Sequence, residues 1–182
     1  KLMERTKNRV LPTKKVSLFT AKLIGITFII SGLSILNFKV NLLTSVLSLI
    51  TIFSYLFLYT PLKRKSWLNT SIGAIPGALP PLGGWTAATG SLEWGGIAVF
   101  LILFFWQHPH FYSIAYLYKE DYKNAGLQML PVIDGGIKRT VLHIFLHALI
   151  LIPISTLPFF FGVSGRVYFV GAYILSNIYM LL

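Results

Sequence analysis

Apolar runs of about twenty residues, separated by short polar segments, recur along this chain and constrain its fold more than any other feature. Residues 16–36 contain one ionic side chain, Lys22, and residues 42–59, 95–116 and 140–161 contain no Asp, Glu, Lys or Arg. About 20 apolar residues in a helix cross the hydrocarbon core of a bilayer, where every backbone polar group must be satisfied internally. The chain therefore reads as an all-α, polytopic transmembrane bundle, a single domain over residues 1–182 with about six spans. Composition agrees: 12% of the residues are charged, about half the share usual in a soluble domain.

The remaining two runs are less regular. Residues 69–85, NTSIGAIPGALPPLGGW, hold three prolines and four glycines. A membrane helix tolerates this content where neighbours or a cavity satisfy the freed backbone groups. Gly73 and Gly77 form a small-xxx-small pair that lets a helix or a flat ligand approach. The last run, from Val167 to Leu182, is only 16 residues long. Together with an opening at Lys1 rather than Met, it makes the chain read as a piece lacking residues at both ends. A tight turn is expected at residues 37–41, with Asn at both ends, and further loops at residues 86–94, 117–139 and 162–166.

Net charge is +11, but the cations sit in short loops between apolar runs. That pattern reports membrane topology and anionic headgroups, not nucleic acid. Numbering the loops alternately puts 13 cations on one face and two, Lys39 and Arg166, on the other, with Lys22 able to snorkel to the first. The cation-rich face is expected to be cytoplasmic, or the matrix side in a mitochondrion, and it carries the longest polar segments. The absence of cysteine excludes disulfides, Cys-ligated zinc and iron–sulfur clusters.

Five constellations could carry chemistry. Arg5, Lys7 and Arg9 place three cations in five residues beside the membrane, suited to phosphate oxygens or simply topogenic. Tyr59 and Lys63 end the second span and open the next loop. Trp106-Gln107-His108-Pro109-His110 puts polar groups inside a span, where they are costly and functional by default. Glu120 and Asp121 are adjacent carboxylates that could bind Mg²⁺. His143 and His147, at i and i+4, could grip a metal or a haem. Cations for a diphosphate, carboxylates for Mg²⁺ and a greasy bundle on one membrane face are what prenyl transfer needs.

These residues also carry a resemblance. MERTKNRVLP (3–12), YTPLKRKSWLN (59–69), IGAIPGALPPLGGW (72–85) and WQHPHFYSIAYLYKEDYKNAGLQMLPV (106–132) resemble, in order and spacing, the protoheme IX farnesyltransferases of the intramembrane aromatic (UbiA-type) prenyltransferase superfamily. The resemblance implies a nine-helix membrane enzyme of which this chain holds about six, the first two helices, the last helix and the first Asp-rich motif lying outside it. Such a piece alone is expected to be inactive. It implies farnesyl diphosphate and protohaem IX as substrates, haem O as product, and Mg²⁺ as cofactor. Haem A synthase or terminal oxidase assembly would lie downstream. The membrane would be the bacterial inner membrane, with the mitochondrial inner membrane as alternative.

Carried over by position, Arg5, Arg9, Tyr59 and Lys63 look like diphosphate ligands. Asp121 looks like the second metal-site carboxylate, with Glu120 the weaker candidate. The positions four residues on either side of Asp121 are Leu117 and Ala125, so this motif departs from the superfamily's paired aspartates. Asn69, Trp106, Gln107 and His110 are expected in the haem and prenyl pocket, His110 facing the haem or the reacting vinyl group as base or ligand. The alternatives are a prenyltransferase for another aromatic acceptor such as a quinone precursor, a transporter with broken helices, and a haem-binding subunit using His143 and His147.

Overall fold

The computed structural model describes residue 3 and residues 6–181, and these are helical or looped with no strand among them. Six long helices and two short ones follow one another: α1 (Leu18–Val40), α2 (Leu42–Leu62), α3 (Asn69–Thr89), α4 (Trp94–Leu117), α5 (Lys119–Asn124), α6 (Leu130–Ile133), α7 (Lys138–Phe160) and α8 (Arg166–Leu181). Four of them, α1, α2, α4 and α7, are long and apolar enough to cross a membrane. α3 has the length, at 21 residues, but its glycines and prolines dilute its apolar character. The fold is thus the expected all-α, polytopic membrane bundle.

Packing follows chain order: α2 lies on α3, α3 on α4, α4 on α7 and α7 on α8. α1 contributes no buried residue and touches α2 only lightly. Its exposed Phe19, Phe28 and Ile30 are what a lipid-facing helix presents.

Local chemistry sets the helix ends. The expected turn at 37–41 is not formed as such. Residues Leu36–Val40 continue α1 as a π-turn, and the break falls at Asn41, whose extended backbone (φ −162°, ψ 160°) caps α2 by accepting from Thr44 N at 2.8 Å. Asn37 is helical because only an Ncap residue must leave helical φ/ψ. α3 runs four residues past the expected end, through Thr86-Ala87-Ala88-Thr89, and stops at Gly90, which takes the left-handed conformation (φ 75°) open to glycine. Its three prolines are carried within the helix, which buries Ala74, Ala78, Leu79 and Leu82 against its neighbours. Asp134 ties down the start of α7 by accepting from Thr140 N (3.0 Å) and Thr140 Oγ1 (3.1 Å).

At the far face, Asn41 Nδ2 donates to the Thr86 carbonyl (2.8 Å), and Thr44 and Thr86 share a hydroxyl hydrogen bond (2.8 Å). There Glu93 accepts from Ser91 (2.7 Å) and Trp85 Nε1 (3.0 Å), and those hydrogen bonds hold its carboxyl below the usual range. At the opposite face, the segment expected as one long loop folds into α5 and α6 and buries Met129, Leu130 and Pro131.

Candidate active site

α3 supplies the floor of the site. Thr70, Gly73, Pro76 and Gly77 recur at helical spacing and so share one face of α3. Tyr55 and Tyr59 of α2 and Lys63 beyond it form one wall, and Gln107 and Phe111 of α4 the other. Thr6 and Arg9 from the N-terminal segment, with Tyr122 of α5 and Met129, close over the mouth. The enclosed volume is about 450 Å³, within the range usual for small-molecule sites.

The two glycines of α3 have a specific reason. A Cβ at Gly73 would stand 2.5 Å from the Tyr59 ring, and one at Gly77 would overlap the Gln107 side-chain oxygen. Glycine at these positions lets Tyr59 and Gln107 lie against the α3 backbone. Gln107 is held there by donating to the Leu103 carbonyl (3.1 Å) and, at 3.5 Å, to that of Ala74.

Two loops distant in sequence are stitched together at the mouth. Gln128 N donates to the Lys63 carbonyl (2.7 Å), and Asn69 Nδ2 donates to the carbonyls of Ser66 (2.6 Å) and Gln128 (2.9 Å). Asn69 is 0% exposed, so it is a strut behind the wall and does not line the cavity, contrary to the expected pocket role. Replacing Asn69 with Ala removes both donations: the Ser66 carbonyl keeps the residue-69 backbone N–H (3.2 Å), but the part-buried Gln128 carbonyl loses its partner, at about 1–3 kcal/mol. The expected result is a lower melting temperature in detergent together with faster amide exchange over residues 125–130.

Lys63 is the focus of the charge. Its Nζ lies 4.1 Å from the Tyr59 ring centroid and 5.7 Å from that of Tyr55. Partial burial lowers its pKa from the usual lysine value. With Arg9 across the cavity, two cations face one chamber whose other walls are largely apolar. Arg5 lies outside the described residues.

The acidic pair stands beside this chamber. Glu120 and Asp121 lie in the first turn of α5, next to the cavity residue Tyr122, and do not themselves line the cavity. Among the described residues no group of three or more His, Cys, Asp or Glu is gathered. Two neighbouring carboxylates match the one or two that Mg²⁺ takes beside waters and substrate phosphate oxygens, without forming an all-protein metal site.

The histidines separate. His108 is 1% exposed. Its Nδ1–H donates to the Phe104 carbonyl (2.8 Å), which leaves Nε2 for the Ser71 hydroxyl (3.2 Å). Its ring stacks on His147 (4.1 Å, 14°), while Tyr112 and Trp67 meet His143 edge-on. His147 Nδ1–H donates to the His143 carbonyl (2.7 Å). The i, i+4 pair thus lies half-buried at the α4–α7 interface, the His147 ring stacked on His108 and the His143 ring in edge contact with Tyr112 and Trp67.

His110 is exposed and stacks on Trp106 (4.9 Å, 17°) instead of lining the chamber with Arg9 and Lys63. Trp106 lines a second hollow of about 500 Å³ between α4, α7 and α8, with Ile102, Ser155, Tyr168 and Tyr179. Tyr55 and Tyr122 were not singled out in the sequence, although Tyr55 lies one helical turn before Tyr59 and Tyr122 directly follows Asp121.

A multi-span helical bundle with a basic, largely apolar chamber at one end is built for a greasy molecule that carries an anionic group. The chain belongs to the UbiA prenyltransferase family, which it matches over residues 1–182. Its relatives include a protein named protoheme IX farnesyltransferase from Solibacter usitatus, 48% identical over 96% of this chain and 60% of the relative. Proteins of the same name from Koribacter versatilis (45% identical over 96% of this chain and 56% of the relative) and Aquifex aeolicus (42%, 99% and 62%) are also similar. The chain therefore spans about 60% of the length of these relatives. No solved structure matches it significantly.

Proposed function

We propose that the protein transfers the farnesyl group of farnesyl diphosphate to a vinyl group of protohaem IX, giving haem O. The observation that carries this reading is the meeting of Arg9, Tyr59 and Lys63 around one chamber, supported by relatives named for the activity. In the reaction the bond between farnesyl C1 and oxygen breaks and its electron pair leaves with diphosphate. C1 bonds to the vinyl carbon, and water captures the adjacent cation with loss of a proton. Arg9 and Lys63 are preorganised positive charges where negative charge develops on the leaving group. The apolar remainder of the chamber keeps water from the allylic cation until the bond forms.

Glu120 and Asp121 would offer oxygens to a Mg²⁺ on the diphosphate, and no step is derived through that ion. The two neighbouring rings of Trp106 and His110 are assigned to the acceptor side. The excess of cations at the chamber's end of the bundle supports a cytoplasmic active face in a bacterial inner membrane.

The test is a membrane preparation carrying the full-length gene product that contains this chain, supplied with farnesyl diphosphate and protohaem IX and analysed by chromatography and mass spectrometry for haem O. Haem O formation is the expected result. Prenylation of 4-hydroxybenzoate without haem O would assign the chamber to a quinone precursor instead.

A further inference from the structure

α2 is not α-helical throughout: Ser54–Tyr59 form a π-helical segment, and the Thr60 N–H reaches back five residues to the Tyr55 carbonyl. The Thr60 hydroxyl donates to the same carbonyl at 2.8 Å, so the wide turn is closed by two bonds from one residue. Turns of this kind are uncommon and concentrate at functional sites. Tyr55 and Tyr59, at i and i+4, are neighbours on α2: their rings come to 5.3 Å of each other, both line the chamber, and both lie within 6 Å of the Lys63 ammonium, at 5.7 and 4.1 Å.

We propose that Tyr55 is a positioning residue: with Tyr59 it forms a two-ring cradle on one face of α2 that holds the Lys63 ammonium charged and aimed at a diphosphate-class anion in the chamber. The inference rests on the diphosphate reading above. Its physical basis is the attraction of a cation to aromatic faces. An aromatic cradle holds the ammonium from one side and leaves its remaining N–H groups for the anion. A carboxylate partner would compete with that anion. The charged and titratable groups lining the same chamber are Arg9, Tyr55, Tyr59 and Tyr122. Of these, only the tyrosine rings favour the charged form of Lys63, since Arg9 repels it. Burial already lowers the Lys63 pKa, so loss of one ring lowers it further.

The experiment compares Tyr55→Leu and Tyr55→Phe with the unaltered protein in detergent micelles. Two readouts are used: binding of inorganic pyrophosphate by calorimetry, and the pH dependence of acetylation at Lys63 by mass spectrometry. A ring contact of this strength corresponds to about a threefold change. Tyr55→Leu is therefore expected to bind pyrophosphate about threefold more weakly and to acetylate Lys63 with a midpoint at lower pH. Tyr55→Phe is expected to match the unaltered protein in both. An unchanged Lys63 titration in Tyr55→Leu overturns the cradle whatever happens to binding. Failure of the unaltered protein to bind pyrophosphate, with the titration shifted as expected, overturns the diphosphate reading and leaves the cradle standing.

Discussion

Lys63→Met lowers kcat/KM for prenyl transfer by about 10²–10³-fold, the loss typical when one preorganised charge at a leaving group is removed. Met keeps most of the side-chain volume and its packing on the tyrosines, so the change isolates the charge. Lys63→Arg is expected to recover only part of the loss. The guanidinium is planar and larger than the ammonium, and the space over the Tyr59 ring fits a compact ammonium at 4.1 Å. The assay is haem O formation at saturating and limiting farnesyl diphosphate, with melting temperatures in detergent as the control for folding. Activity within threefold of the unaltered protein in Lys63→Met would remove Lys63 from the site.

The second large effect is expected at Gly77. Replacing it with Ala places a methyl group where the Gln107 oxygen now lies. The Gln107 side chain must swing away, losing its donation to Leu103 and intruding on the chamber. Because the clashing atom ends a flexible side chain, the stability cost is expected at the low end for overpacking, about 1 kcal/mol, and displacement of a wall residue is expected to reduce turnover by tenfold or more. The double variant Gly77→Ala/Gln107→Ala separates the two. Relieving the clash is expected to restore the melting temperature while turnover stays low. Equal recovery of both would show that Gln107 only fills space. An unchanged melting temperature in the single variant would show that α3 and α4 separate more easily than their packing suggests.

The membrane class was legible from residues 42–59, 95–116 and 140–161, because crossing hydrocarbon demands long uncharged helical segments whatever the tertiary structure. Tyr59 and Lys63 stood out only through the resemblance, since an interfacial tyrosine followed by a topogenic lysine is by itself an ordinary membrane boundary. Side-chain direction was not legible. His108 and His110 look alike in sequence, yet one is sealed against His147 and Ser71 while the other lies open beside Trp106. Asn69 read as a pocket residue and is a strut, since its partners, the carbonyls of Ser66 and Gln128, include one 59 residues away. The roles of Gly73 and Gly77 as clearance for Tyr59 and Gln107 could be read only once the partners were placed.

By itself, the sequence determined the solvent, the helical class, the polarity of the two faces and the family, because these depend on hydropathy, charge and local strings that need no partner. The tertiary structure alone decided which side chains share the chamber: Tyr55 beside Tyr59, Lys63 over both, Gln107 against Gly77. Helix rotation sets those meetings, and rotation is fixed by packing between helices, a long-range property that no single segment encodes.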